Sequence, residues 1–156
     1  MVIIKRNVNA NNNINRANRN GTINNIFAGR NFYHPLSLIN WRSFGRYGMM
    51  DNNGTTFIGL ALVFNTNNGN SRVIELMGAR RGYGRQLLNR IIANSKKNNK
   101  QNVFLMAANS GSGKLIGFYK GSGFKVTGPL QVGMTPMRRI IRNAPKGLRG
   151  MRNNNV

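Results

Sequence analysis

The stretch Arg80-Arg81-Gly82-Tyr83-Gly84-Arg85-Gln86-Leu87-Leu88 holds the residue types that bind an anion, three guanidinium groups around two glycines. Val73, Ile74, Leu76 and Met77 before it read as a strand, and Leu87, Leu88, Ile91 and Ile92 after it share one helical face. Strand, glycine turn and helix in that order direct unpaired main-chain N–H groups at one spot, where the helix dipole adds partial positive charge. Glycine at 82 and 84 removes the Cβ atoms that would hold a phosphate away from the main chain. The stretch therefore predicts a site for a ligand bearing a pyrophosphate. A second glycine run, Ser110-Gly111-Ser112-Gly113-Lys114, resembles a triphosphate-binding loop. It has Ala108 where that loop needs glycine and Leu115 where it needs a hydroxyl, so triphosphate hydrolysis is not expected, although Lys114 can still touch a phosphate. With no cysteine and His34 alone, neither a thiolate zinc site nor a histidine cluster can form.

Several elements must position that turn. Asp51-Asn52-Asn53-Gly54 and the polar run 65–70 are turn sequences. Strands over 43–50, Thr56–Phe64 and Arg72–Met77 then form an antiparallel meander that delivers the chain to the glycine turn, with Gly59 a candidate bulge. Pro35 suits the start of a short helix near 35–42. The central helix is expected over 82–95, followed by the polar link Lys96–Lys100, a continuous apolar strand Val103–Ala108 and a second helix near 113–121. Gly121 to Gly123 stops that helix, Phe124–Thr127 is a strand, and Leu130, Val132 and Met134 alternate as another. The fold class expected is mixed α/β (α+β), with flanking helices on a mostly antiparallel sheet. One domain covers 23–137, between a basic, asparagine-rich arm at 1–22 and a basic, extended tail at 138–156. Phe32, Tyr33 and Trp41 are read as core, with stacking on bases as their other use.

Arg81-Gly82-Tyr83-Gly84-x-x-Leu87-Leu88, then a strand, then a helix ending Phe118-Tyr119-x-x-x-Gly123-Phe124, resembles the GNAT superfamily of acetyl-CoA-dependent N-acetyltransferases over roughly residues 55–135. The resemblance implies that main-chain N–H groups of Arg81, Gly82, Tyr83, Gly84 and Arg85 hold the pyrophosphate of coenzyme A. It places Leu76, Met77 and Gly78 along the pantetheine arm, and Ser112 beside the cofactor where the family commonly has asparagine. Ala79 stands where the family usually has glutamine or arginine. Tyr119 would protonate the departing thiolate, a role open to a phenol near the sulfur; packing beside Phe118 and Phe124 is the other use of its ring. General bases in the family are often carboxylates, and Glu75 is the candidate near the cofactor strand, with pairing to Arg72 or Arg80 as its alternative. The implied cofactor is acetyl-CoA and the implied reaction is acetyl transfer to an amine.

Charge sets the expected company. Twenty-four lysines and arginines face two acids, Asp51 and Glu75, for a formal net charge of +22. Such a surface calls for an anionic partner, a nucleic acid or a large assembly, with neighbouring chains around the terminal arms. Arg16 and Arg19 at one end, and Arg138, Arg139, Arg142, Lys146, Arg149 and Arg152 at the other, are expected to contact nucleic-acid backbone. A cationic acyl acceptor would be repelled, so the acceptor expected is neutral, anionic, or bound where nucleic acid screens the charge. The runner-up reading is a catalytically reduced GNAT-fold component of a virion or ribonucleoprotein particle. No apolar stretch is long enough to span a bilayer, and Val2-Ile3-Ile4 is too short for a signal peptide, so the expected location is intracellular, in a virus or ribonucleoprotein particle on the runner-up reading, and not secreted.

Overall fold

The computed structural model describes residues 3–6, 45–50, 57–108 and 113–141. Its elements are β1 (Ile3–Arg6), β2 (Gly45–Met50), β3 (Phe57–Asn65), β4 (Ser71–Ala79), α1 (Gly84–Lys97), β5 (Asn102–Ala108), α2 (Lys114–Lys120), β6 (Lys125–Val126) and β7 (Met134–Ile140). The strands order as β1-β2-β3-β4-β5-β7-β6. The ladders β1–β2, β2–β3, β5–β7 and β6–β7 are antiparallel, as the mixed α+β expectation required. Packing divides the chain into two compact units that share β4 and α1. One comprises 1–64 and 74–91, the other 65–73 and 92–156.

In the first unit the strands are apolar on both faces. Ile58 through Val63 are all buried, as are Tyr47, Met49 and Met50 of β2. Leu87, Leu88 and Ile91, the expected apolar stripe of the helix, have no exposed surface. The β2–β3 register slips once: Met49 faces Gly59 and Met50 faces Phe57. The extra residue is Ile58, one position before the glycine expected to bulge. Gly59 itself serves close packing, since a Cβ there would lie 3.2 Å from the Cβ atoms of Ala79 and Met49.

Part of the expected N-terminal arm is sheet. Ile3–Arg6 pairs with β2 in the register Ile3↔Met50 to Arg6↔Tyr47. Two β-branched residues suffice for a short edge strand when a buried partner strand is waiting, and a composition window averages them with the asparagines that follow. The rest of the arm, the helix near 35–42 and the turn at 51–54 lie outside the described residues.

In the second unit the turn after β3 closes through Thr66 N–H to the Ser71 carbonyl at 2.9 Å and Gly69 N–H to the Thr66 carbonyl at 2.8 Å, with Gly69 at φ +73°. The core holds Val103, Leu105, Ala107, Tyr119, Phe124 and Met137. Helix α2 stops where the glycines predicted, with Gly123 at φ +88°. Two expectations are corrected. Leu130 to Gly133 is not strand: Gln131 and Met134 exchange main-chain hydrogen bonds across Val132 (φ +48°) and Gly133 (φ +73°), a two-residue hairpin turn. Its apolar residues alternate without being buried, Leu130 being 56% exposed and Val132 82%. The boundary drawn between 137 and 138 cuts through β7, so Arg138 and Arg139 are sheet residues and not the start of a tail.

Candidate functional site

Along β4 the side chains alternate. Ile74 and Leu76 are buried, as is Gly78, while Val73 and Met77 are half-buried and Glu75 is exposed. The strand ends at Ala79, and Arg80 N–H donates to the Ile58 carbonyl at 2.8 Å, so the bulged residue of β3 anchors the end of β4. The chain then turns: Tyr83 N–H donates to the Arg80 carbonyl at 3.0 Å, and Gly82 sits at φ +93°, a conformation glycine alone adopts readily. Leu87 N–H donates to the Tyr83 carbonyl at 3.2 Å and begins α1.

The turn is open. A Cβ built on Gly82 would meet nothing within 4 Å. Arg80, Arg81, Gly82 and Arg85 are exposed, Tyr83 and Gly84 half-buried. The first turn of α1 carries no acid, while Lys96 and Lys97 occupy its last turn. Cations at the C-terminal end suit the macrodipole, and the N-terminal end is acid-free and flanked by arginines in sequence. The turn residues Arg81 to Arg85 and the strand residues Leu76, Met77 and Gly78 are consecutive parts of the first unit, and Glu75 belongs to the same strand.

Tyr119 belongs to the second unit. It is buried at 6% exposure, and its ring meets Phe118 and Phe124 edge-on at centroid distances of 5.3 and 5.7 Å. The packing use of the ring is therefore realised. Ser112, Arg16, Arg19, Arg142, Lys146, Arg149 and Arg152 lie outside the described residues. Of the basic residues expected on nucleic acid, Arg138 is exposed on β7, whereas Arg139 is half-buried and donates from Nη1 to the Ser122 carbonyl at 2.7 Å. That internal bond gives Arg139 a structural use, in place of the tail contact expected of it.

Sequence reasoning weighed Arg72 only as a partner of Glu75, and its bonds to asparagine were not foreseen. Only 2% exposed, it donates from Nη1 to Asn94 Oδ1 at 2.6 Å and from Nε to Asn65 Oδ1 at 3.4 Å. Lys100 Nζ likewise donates to the Gly69 carbonyl at 2.6 Å. In each of these bonds an amide or carbonyl oxygen, not a carboxylate, accepts from the cation. The excess of asparagine was the available signal.

No protein-family model matches the chain, and neither does any curated protein sequence. Solved structures do. A Lactobacillus plantarum protein assigned as an N-acetyltransferase superposes with a TM-score of 0.68 at 14% identity, over 90% of this chain and 99% of that one. The catalytic domain of the Tetrahymena GCN5 histone acetyltransferase, crystallised with coenzyme A, gives 0.64 at 19% identity over 94% and 95%. The ribosomal-protein-S18-alanine N-acetyltransferase of Escherichia coli gives 0.65 at 14% identity over 94% and 97%. Reached from residues that share few identities with any of these, the architecture is nonetheless theirs: this chain has the GNAT fold.

Proposed function

We propose that this protein binds acetyl-CoA at the 80–85 turn and passes the acetyl group to an amine. The observation that carries the reading is the open, acid-free and arginine-flanked turn at the end of β4, with Gly82 at φ +93° and empty space where a Cβ would stand. The fold supports it, since proteins that share the fold are acetyltransferases and one was crystallised with coenzyme A.

When bound, the thioester would supply an activated acetyl group. The main-chain N–H groups from Arg81 to Arg85 would hold its pyrophosphate, with the arginine side chains neutralising charge. Main-chain groups at Leu76, Met77 and Gly78 would hold the pantetheine arm. Tyr119 would give its phenolic proton to the departing sulfur, and Glu75 or water would take the proton from the attacking amine. A net charge of +22 repels cationic acceptors, so the acceptor class is a neutral or anionic amine.

The experiment follows thiol release from acetyl-CoA with a panel of amines graded by charge. The reading predicts turnover on neutral or phosphate-bearing amines and little on polylysine. Absence of turnover on every amine, together with absence of coenzyme A binding, would refute it.

A further inference from the structure

The β5-β7-β6 ladder of the second unit has two unlike faces. Residues opposite one another in an antiparallel ladder point to the same side. One side presents Val103, Leu105 and Met137, all buried at 3% exposure or less. The other side carries three rows in register. Met106 lies opposite Pro136, Phe104 opposite Arg138, and Asn102 opposite Ile140; Arg138 in turn lies opposite Lys125 of β6. On this side Met106 is 40% exposed and Ile140 53%; Arg138 and Lys125 are exposed, and Phe104 is half-buried.

The middle row, Phe104–Arg138–Lys125, is the informative one. Two like charges directly opposite in a ladder repel and destabilise the pair. In a chain with two carboxylates against 24 cations, an external anion is the natural source of relief. An aromatic ring stands next in the same row, and strands about 4.8 Å apart place the three side chains within roughly 10 Å. Two cations that hold a phosphate, beside a ring that accepts a base on its face, form a platform for an unpaired nucleotide. A double helix offers no base face to a flat sheet, and an acidic peptide has no use for the ring.

We infer that this sheet face binds single-stranded nucleic acid, with Arg138 and Lys125 on the phosphates and Phe104 stacked on a base. The inference does not depend on acetyl transfer, because none of these residues belongs to the cofactor turn.

The test is fluorescence anisotropy of a labelled 20-nucleotide single strand with the full chain, across a salt series. Binding should weaken steeply with salt. Lys125→Ala with Arg138→Ala should flatten the log–log salt slope by about 1.4, two phosphates' worth for a single strand. Phe104→Leu, which keeps apolar bulk, should weaken binding about tenfold and leave the slope unchanged. Both variants should melt within a few degrees of the parent, and Lys125→Ala and Arg138→Ala alter only exposed side chains. Unchanged affinity in both variants would overturn the inference, as would equal affinity for duplex, equal competition by polyglutamate, or no binding at about 0.1 M salt.

Discussion

Replacing Asn94 by alanine should destabilise the protein although it trades a poor helix former for a good one. Asn94 lies in α1, where alanine is favoured by about 0.5 kcal/mol. Against that gain stands the 2.6 Å bond its amide oxygen accepts from Arg72 Nη1, on a guanidinium side chain only 2% exposed. A hydrogen bond to a charged group contributes about 1.5–3 kcal/mol, so the net loss should be about 1–2.5 kcal/mol. A further contact of that oxygen, from Asn98 Nδ2 at 3.2 Å, matters little because Asn98 Nδ2 also reaches the Asn94 carbonyl at 2.8 Å. For a chain of 156 residues the loss corresponds to a fall in Tm of roughly 2–10 °C, read by circular dichroism. Asn89→Ala, exposed on the same helix, should instead leave Tm unchanged or slightly raised. Asn94→Asp should retain or raise stability. Its carboxylate, lowered in pKa by the guanidinium, would contribute above the unfolded aspartate value of about 4 and lose that contribution as pH falls through the folded value. Asn94→Ala melting with or above the parent would refute the claim that amide oxygens stand in for carboxylates here.

Other outcomes follow from the turn and the second helix. Gly82→Ala and Gly69→Ala each place a Cβ at positive φ in open space, so both should cost about 1–2 kcal/mol. Gly82→Ala alone should also weaken coenzyme A, and equal coenzyme A affinity in the two variants would argue against the turn as its site. Tyr119→Phe keeps the ring between Phe118 and Phe124 while removing the hydroxyl. If the phenol protonates the leaving sulfur, turnover should drop about hundredfold with coenzyme A affinity unchanged; undiminished turnover would leave Tyr119 as core alone.

The parts of the fold that were readable from sequence are those fixed by local chemistry. Gly82, Gly84 and the Leu87, Leu88, Ile91, Ile92 stripe declare a turn and a helix within a dozen residues. The apolar run Val73, Ile74, Leu76, Met77 and the glycines after Tyr119 likewise act over short range. What escaped depends on partners far along the chain. β1 exists because β2, about forty residues later, offers an edge to Ile3 and Ile4. Arg72 is buried because Asn94, 22 positions on, accepts its hydrogen bond. Leu130 and Val132 read as strand because alternation cannot tell a buried face from an exposed hairpin turn. Arg139 read as tail because its acceptor, the Ser122 carbonyl, is main chain and invisible to composition. Of the candidate site, the turn's backbone was legible, because the positive φ of Gly82 is a local demand that glycine meets. Of the two uses weighed for Tyr119, the ring contacts with Phe118 and Phe124 are the one the fold displays.

The most direct measurement is calorimetric titration of coenzyme A into the full chain, beside Gly84→Trp, which sets a bulky side chain at the first residue of α1. Saturable binding to the parent and none to the variant is the predicted result. No heat with the parent, or equal binding by both, would contradict the assignment of this turn as a pyrophosphate site.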